Sequence, residues 1–324
     1  MSPSSPTVLV IADPKAPFLK ALSRLPKQPR VIVSANEAEL LKHAPEADAI
    51  LYAHHQGSLL RSMLPRARRL CWVHSLWTGV EGIIGPELLE HPAILTNGRG
   101  VFSGPLADWT MAAILHFAFD LRRVISQQEQ GIWRLVHGVS LNGRSLGIVG
   151  FGAIGAAAAL RAKAFGMRIA GLRRRPEFPT PGDLVDAVYG PDRLLDLMAA
   201  SDYVLASAPL TPATRGLIGE NAIAAMKPTA VIVNVGRGGV IVEQALVRAL
   251  QSGRIRGAAL DVFEIEPLPV RHPFWSMSNV LLSPHTADRV EGFLDPAFDC
   301  FFENLERFRK GETLVNMVDK HAGY

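Results

Sequence analysis

The sequence GFGAIG at residues 150–155 has the residue types and spacing of a phosphate-binding loop. It directly follows an apolar run typical of a strand and directly precedes an alanine-rich stretch typical of a helix. In that context Gly150 allows a tight turn, Gly152 lets the backbone approach a pyrophosphate, and Gly155 lets helix and strand pack closely. The first N–H groups of the helix would face the phosphates. The predicted dinucleotide-binding residues are Gly150, Gly152, Ala153, Ile154 and Gly155.

The next apolar run, MRIAGL, ends in three consecutive arginines, Arg173, Arg174 and Arg175. About 20 residues after such a glycine loop, a dinucleotide site usually has an Asp or Glu that accepts hydrogen bonds from the adenosine ribose. A guanidinium at this position can instead pair with the extra ribose phosphate of NADP. We therefore predict NADPH as the cofactor, bound by Arg173 and Arg174, with NAD as the alternative. The competing interpretation is a solvated turn without a ligand.

Short apolar runs that alternate with helical stretches must position this loop. Before residue 98 these runs are VLVIA, VIV, DAILYA, LCWVH and AILT. Runs without apolar and polar alternation are typical of strands buried on both faces, which predicts a parallel sheet covered by helices. The same pattern restarts at residue 145 and continues to NVLLS at residues 279–283, which predicts a second, larger doubly wound unit.

The chain of 324 residues is long enough for two domains. We predict an α/β fold of two doubly wound parallel-sheet domains, with a Rossmann cofactor domain inserted into a flavodoxin-like substrate domain. The substrate domain would comprise residues 1–98 and 288–324, and the dinucleotide-binding domain residues 99–287. A ligand crevice is expected between them, at the carboxyl ends of the strands. Residues 105–130 are predicted to form one linking helix, and their apolar residues exceed one helix face, which predicts a homodimer.

The composition limits the classes of partner. Hydrophobic residues make up 48% and charged residues 20% of the chain, a profile typical of soluble globular proteins. A formal net charge of +4, spread over 34 basic and 30 acidic residues, does not indicate nucleic-acid binding. Cys71 and Cys300 form neither a disulfide framework nor a metal-binding pair, and no metal is expected. The N-terminal apolar run is too short for a signal peptide or a membrane span, so a cytoplasmic location without membrane contact is predicted.

Three further motifs follow the glycine loop: NVGRGG at residues 234–239, DVFEIEP at 261–267 and SPH at 283–285. Together with GFGAIG and PLTPATRGLI at 209–218, they closely resemble the D-isomer-specific 2-hydroxyacid dehydrogenase family, in particular its glyoxylate/hydroxypyruvate reductase-like members. The resemblance covers nearly the whole chain and is densest over residues 145–286. It implies NAD(P)H-dependent reduction of a small 2-keto acid of the glyoxylate or hydroxypyruvate type to the D-2-hydroxy acid.

The resemblance implies three catalytic residues, Arg237, Glu266 and His285. Reduction of a carbonyl develops negative charge on its oxygen, so a proton donor and a cation are needed beside it. An imidazole titrates near neutral pH and suits the donor role of His285, while Glu266 would keep it charged. The planar guanidinium of Arg237 matches carboxylate and carbonyl oxygens. Glu266 also favours an ordinary 2-keto acid reductase, because the related formate dehydrogenases are similar but have Gln there.

Further site residues are implied by the same resemblance. The substrate carboxylate would meet Arg237 and the backbone N–H groups of Thr78, Gly79 and Val80. The predicted cofactor contacts beyond the glycine loop are Pro209, Thr214 and Asp261, with Pro209 on the adenine and Asp261 on the nicotinamide amide. Three side chains at strand ends of the first domain either line the pocket or pack as ordinary loop residues: His54, His55 and Trp77.

Two features bear on the resemblance. The sequence SPHTAD lacks the glycine that often follows the family's catalytic His, so the geometry of this turn is open. The alternative function is an NAD(P)-binding, corepressor-like interaction protein of the same superfamily, which keeps the Arg, Glu and His. Such proteins usually carry extended disordered tails, and only a short polar segment precedes the first predicted strand here, which favours the enzyme.

Overall fold

A computed structural model describes residues 5–25, 29–177 and 184–324. The chain divides into two compact units, one formed by Met1–Phe102 with Glu291–Tyr324 and the other by Ser103–Val290. The boundaries expected from the sequence, after residues 98 and 287, lie a few residues before these.

The strands of the described residues are β1 (Thr7–Ile11), β2 (Arg30–Ser34), β3 (Ala49–Tyr52), β4 (Trp72–Ser75), β5 (Ile94–Asn97), β6 (Ser145–Val149), β7 (Arg168–Leu172), β8 (Ala187–Tyr189), β9 (Tyr203–Ala206), β10 (Val231–Asn234), β11 (Gly257–Leu260) and β12 (Val280–Leu282). The α-helices are α1 (Glu37–His43), α2 (Gly57–Met63), α3 (Pro86–Glu90), α4 (Ser103–Ala118), α5 (Leu121–Glu129), α6 (Ala153–Ala164), α7 (Leu194–Ala200), α8 (Glu220–Ala225), α9 (Glu243–Gln251) and α10 (Asp295–Lys310). Short 3-10 helices cover Pro17–Arg24, Ala44–Glu46, Leu64–Arg66, Pro191–Arg193, Gly238–Val240 and Pro273–Ser276.

The first unit contains a parallel sheet with the strand order β2-β1-β3-β4-β5. This order is that of flavodoxin-like doubly wound folds. Strands β3 and β4 are buried along their whole length, as the apolar runs predicted. Helix α10 belongs to this unit, and its Phe301 stacks on Trp72 of β4 with ring centroids 5.5 Å apart.

The first unit also encloses a histidine. His74 of β4 is fully buried, its Nδ1 lies 2.8 Å from the Thr96 hydroxyl oxygen, and its ring lies against Phe301. The Thr96 oxygen also accepts a hydrogen bond from the Trp72 indole at 2.8 Å. Burial lowers the pKa of His74 to about 3, so the imidazole is neutral.

The second unit contains a sheet with the order β12-β11-β10-β9-β6-β7-β8, in which every neighbouring pair is parallel. Reading from β8, the order is the 3-2-1-4-5-6 arrangement of Rossmann folds with one further strand at the far edge. Helices cover both faces of this sheet. The predicted α/β fold class with two doubly wound parallel sheets is therefore confirmed.

The prediction of one helix over residues 105–130 was wrong. Helix α4 ends at Ala118 and α5 begins at Leu121, and both lie in the second unit. Between them Asp120 has a φ of +48°, in the left-handed region. Asp tolerates this conformation better than most residues, and its carbonyl accepts the first hydrogen bonds of the new helix, from Arg123 and Val124. The break between the helices results from the backbone conformation of Asp120, which the spacing of apolar residues does not reveal.

Candidate active site

The three predicted catalytic residues follow three neighbouring strands of the second sheet. Arg237 comes after β10, Glu266 lies in the loop after β11, and His285 comes after β12. Because parallel strands end at the same edge of a sheet, these loops meet there. The structure thus brings together residues that are far apart in the sequence.

His285 and Glu266 form a hydrogen-bonded pair. The Nδ1 atom of His285 lies 2.6 Å from Oε2 of Glu266. The other carboxylate oxygen, Oε1, accepts a hydrogen bond from the N–H of Phe263 at 2.9 Å. The side chains of His285 and Glu266 are 47% and 34% exposed. The carboxylate therefore orients an accessible imidazole whose Nε2 points away from the pair, an arrangement suited to proton transfer.

The electrostatics of the pair favour a charged imidazole. The hydrogen bond with Glu266 is the main cause that raises the pKa of His285, and the charges of Glu266 and Asp261 add to it, against burial and the charge of Arg237. Burial raises the pKa of Glu266, but the hydrogen bonds from His285 and Phe263 and the charge of Arg237 outweigh it, so this pKa lies below its usual value. Glu266 is thus ionised, and His285 holds its proton to higher pH than a free imidazole.

Arg237 lies in a turn that packs against the loop of Glu266. Its carbonyl accepts a hydrogen bond from the Asn234 amide at 3.2 Å, and its Nη1 donates to the carbonyl of Gly236 at 2.8 Å. A Cβ atom on the next residue, Gly238, would lie 1.9 Å from the carbonyl carbon of Phe263. Only glycine permits this close approach of the two loops. Because the loops are close, the positive charge of Arg237 lowers the pKa values of both Glu266 and His285.

Asp261 holds the turn that carries His285. Its buried carboxylate accepts three hydrogen bonds through Oδ1: from the Ser283 hydroxyl at 2.6 Å and from the N–H groups of Thr286 and Ala287 at 2.8 and 3.1 Å. Burial raises the pKa of Asp261, and these hydrogen bonds oppose that effect. The sequence analysis did not predict this role. The residues Ser283 and Thr286, on either side of His285, are the pattern that could have indicated it. The contact of Asp261 with a nicotinamide amide stays a prediction.

The glycine loop has the geometry that its sequence predicted. Gly150 has a φ of +94°, and a Cβ there would lie 2.5 Å from backbone atoms of Ala208. A Cβ on Gly155 would lie 2.8 Å from the Ile148 side chain, so helix α6 packs directly on β6. At Gly152 no described atom lies within 4 Å of the Cβ position, which leaves the backbone approachable. Ala153 and Ile154 then begin α6.

The loop is bound to the end of the strand that leads to the arginines. The N–H groups of Gly150 and Phe151 both donate to the carbonyl of Leu172 at 3.0 Å. The ring of Phe151 lies over β7, because a Cβ on Gly171 would come within 2.9 Å of it. Arg173 follows directly and donates its N–H to the carbonyl of Tyr189 at 3.1 Å. Its side chain is partly exposed, and that of Arg174 is exposed.

Pro209 and Thr214 lie in the loop after β9. Pro209 adjoins Ala208, the residue against which Gly150 packs. The Thr214 hydroxyl donates to the carbonyl of Pro209 at 2.5 Å and accepts from the N–H of Thr211 at 2.8 Å. This hydroxyl therefore closes its own loop, and direct contacts of either residue with a cofactor stay predictions.

Three of the four predicted substrate-binding residues, Thr78, Gly79 and Val80, lie in the first unit, in the loop after β4, whereas Arg237 lies in the second unit. The Thr78 hydroxyl donates to the carbonyl of Gly98 at 3.0 Å, and the Asn97 amide donates to the carbonyl of Thr78 at 2.7 Å. Within the described parts of the chain, the N–H groups of Gly79 and Val80 have no hydrogen-bond partner. Backbone donors of this kind can bind a carboxylate.

The three side chains whose role the sequence did not decide, pocket lining or loop packing, also lie in the first unit. The rings of His55 and Trp77 are stacked, with centroids 5.6 Å apart. The Nδ1 atom of His54 accepts a hydrogen bond from the N–H of Gln56 at 3.0 Å. This bond places the proton of a neutral His54 on Nε2.

None of the helices in the described ranges is long and apolar enough to cross a membrane.

Known proteins resemble the chain over most of its length. A D-3-phosphoglycerate dehydrogenase from Methanocaldococcus jannaschii is 34% identical over 291 residues, which cover 89% of this chain and 55% of that protein. The chain thus spans about half the length of that relative. A glyoxylate reductase from Korarchaeum cryptofilum is 38% identical over 255 residues, covering 75% and 74% of the two chains.

A solved structure gives the same result for the fold. An NADPH-dependent glyoxylate/hydroxypyruvate reductase from Sinorhizobium meliloti, in complex with NADP and sulfate, is 27% identical, with a TM-score of 0.85 and coverage of 99% and 100% of the two chains. The sequence model for the NAD-binding domain of the D-isomer specific 2-hydroxyacid dehydrogenases matches residues 111–287. With its fold and sequence both in agreement, this chain belongs to the D-isomer specific 2-hydroxyacid dehydrogenase family.

Proposed function

We propose that this protein reduces a small 2-keto acid of the glyoxylate or hydroxypyruvate type to the D-2-hydroxy acid, with NADPH as the preferred cofactor. The observation that carries the proposal is the His285–Glu266 pair, 2.6 Å apart, with the charge of Arg237 acting on both residues. A bound nicotinamide supplies the hydride to the carbonyl carbon. His285 then donates its proton from Nε2 to the carbonyl oxygen.

Each protein group has a defined role in this reaction. Glu266 stabilises the imidazolium before transfer and orients the neutral ring afterwards. Arg237 binds a substrate oxygen with its planar guanidinium and stabilises the charge that develops during the reduction. We further propose that the N–H groups of Gly79 and Val80, with Thr78, bind the substrate carboxylate. Their lack of partners within the described residues supports this assignment.

The glycine loop fits a dinucleotide, because the backbone is approachable at Gly152 and the first N–H groups of α6 are directed there. For the choice of NADP, we propose that Arg173 and Arg174 bind the 2′-phosphate. They directly follow β7, the position where an acidic residue would select NAD. The Sinorhizobium meliloti reductase, which is NADPH-dependent, supports this preference.

We also propose a homodimer built on the second unit. Exposed apolar side chains cluster at the end of α4, on α5 and just beyond it: Phe119, Val124, Ile125, Ile132, Trp133 and Leu135. Trp133 is 100% exposed and Leu135 is 77% exposed. Exposed apolar side chains of this kind are typical of an interface, and a two-fold dimer would pair the same surface of two copies. A monomeric mass in light scattering at micromolar concentration would contradict this assembly.

The expected cytoplasmic location also stays a prediction.

The test of the function is a set of 2-keto acids assayed with NADPH and with NADH, followed by absorbance of the reduced nicotinamide. We expect turnover with glyoxylate or hydroxypyruvate. Absence of turnover with every keto acid, in protein that binds the cofactor, would favour the corepressor-like alternative.

A further inference from the structure

A second pair of a histidine and a glutamate lies in the unit that carries the candidate active site. Glu243 is the first residue of α9, and His272 follows Glu266 in the chain. The Nε2 atom of His272 lies 3.2 Å from Oε1 of Glu243. These side chains are only 12% and 15% exposed, whereas His285 and Glu266 are 47% and 34% exposed. The second pair is therefore placed to hold structure, because solvent and substrate reach it poorly.

One hydrogen bond defines the roles of the two ring nitrogens of His272. The N–H of Phe274 donates to Nδ1 of His272 at 3.3 Å, so this nitrogen is an acceptor. The proton of a neutral ring is then on Nε2, the nitrogen that lies 3.2 Å from Oε1 of Glu243.

The other carboxylate oxygen of Glu243 binds a residue that precedes Glu266 in the chain. Its Oε2 accepts a hydrogen bond from the N–H of Glu264 at 3.2 Å. In return, Oε1 of Glu264 accepts from the N–H of Glu243 at 3.5 Å. One carboxylate thus holds residues 264 and 272, which precede and follow Glu266 in the loop of residues 263–272.

The restraint continues to the catalytic pair. Residue 264 adjoins Phe263, whose N–H donates to Oε1 of Glu266 at 2.9 Å. The other oxygen of Glu266 meets His285. Gly238 packs against the backbone of Phe263 from the side of Arg237. A shift of the loop at residue 264 would therefore change how Glu266 meets His285.

We propose that Glu243 is a positioning residue, which together with His272 holds the loop of residues 263–272 so that the Glu266 carboxylate meets the His285 ring. The inference rests on the proposed function for its catalytic meaning, whereas the structural restraint can be measured without turnover. A misplacement on the order of 1 Å in a catalytic group can lower the rate about 100-fold.

The first test is an NMR titration of the His285 imidazole in the full-length protein without substrate. Glu243→Ala removes both contacts, whereas Arg237, Asp261 and Glu266, the charged groups that act on His285, are all retained. We expect the pKa of His285 to fall toward its ordinary value of about 6.5. An unchanged pKa in folded Glu243→Ala would overturn the proposal.

The matched control is Glu220→Ala. Glu220 is also the first residue of a helix, α8, but its side chain is 75% exposed and lies 3.5 Å from Arg248 in a surface ion pair. This variant should leave the His285 pKa and the turnover unchanged. For Glu243→Ala we expect kcat to fall by about 10- to 100-fold while the KM for the cofactor stays constant. A fall in kcat without a change in the His285 pKa would show a general structural effect and contradict the proposed role.

A second pair of variants covers the case in which Glu243→Ala does not fold. His272→Gln keeps an N–H donor near the position of Nε2, and His272→Phe keeps the ring without the donor. The proposal requires that Gln preserves the His285 pKa and that Phe lowers it, and equal values in the two variants would refute it. A wild-type protein with the expected titrations but no turnover would overturn only the proposed function.

Discussion

The peptide N–H of His285 donates a hydrogen bond to the main-chain carbonyl of Asp261 at 2.8 Å. The carboxylate of the same Asp261 binds Ser283, Thr286 and Ala287, on both sides of the histidine. His285 has a φ of +55°, a left-handed conformation that is uncommon for a residue other than glycine. Asp261 therefore stabilises an unfavourable backbone conformation at the residue that would donate the proton.

Two replacements of Asp261 separate the effect of its acceptor oxygen from that of its negative charge. Asp261→Ala leaves three donors without their acceptor and should lower the free energy of unfolding by roughly 1 to 3 kcal/mol per buried unsatisfied group. Asp261→Asn keeps an acceptor oxygen at the same place and should lose less. Denaturant unfolding of both variants measures the difference. Equal losses would show that the charge, and not the acceptor geometry, holds the turn.

His285→Ala should abolish turnover and leave cofactor binding nearly intact, because the proposed role of the imidazole is to protonate the substrate oxygen. Loss of a general acid typically lowers the rate by about 100- to 10,000-fold. The measurements are steady-state kinetics and quenching of protein fluorescence by NADPH. Wild-type turnover in this variant would remove His285 from the mechanism.

The pH dependence of reduction follows from the raised pKa of His285. The proposed mechanism needs the protonated imidazole, so kcat/KM should be constant below the His285 pKa and fall as pH rises through it. This pKa lies above the ordinary value of about 6.5. In Glu266→Gln the negative charge is lost, the pKa of His285 falls, and the decline should begin at lower pH. Profiles of kcat/KM against pH for both proteins test this prediction. Identical profiles would show that Glu266 does not raise the pKa of His285.

Arg173→Asp should reverse or reduce the preference for NADPH, because the carboxylate would repel the 2′-phosphate and accept from the ribose hydroxyls instead. Charge-assisted hydrogen bonds contribute about 1.5 to 3 kcal/mol each, so one or two give a preference of roughly 10- to 10,000-fold. The measurement is the ratio of kcat/KM with NADPH and NADH in both proteins. A wild type that prefers NADH would favour the solvated-turn interpretation.

His74 should make the protein less stable in acid. Its pKa is about 3 in the folded state, compared with about 6.5 in an unfolded chain. Between these values the unfolded chain binds the extra proton, so stability falls as pH decreases, by up to about 1.4 kcal/mol per pH unit. In His74→Leu this contribution disappears, and unfolding by denaturant near pH 7 and near pH 5 should show a weaker pH dependence than wild type. An equal dependence in both would contradict the assignment.

Local sequence patterns were sufficient to predict some elements and not others. Strands such as β3 and β6 were predictable because burial on both faces requires continuous apolar runs. Strand β8 was missed, since it has three residues, lies at the sheet edge and is partly exposed. The contacts of Asp261 with residues 283–287 were not predictable, because they exist only where β11 and β12 are neighbours. The same holds for Glu243 and His272, which meet through the packing of α9 and a loop.

The binding of Gly150 and Phe151 to the carbonyl of Leu172 has a consequence for cofactor engineering. That acceptor belongs to the backbone, so it is present whatever side chain stands at residue 173. Exchange of Arg173 therefore alters the charge at the proposed position of the adenosine ribose and leaves the anchor of the glycine loop in place. Cofactor preference in this protein should consequently be transferable by side-chain exchange alone, without grafting the loop from another dehydrogenase.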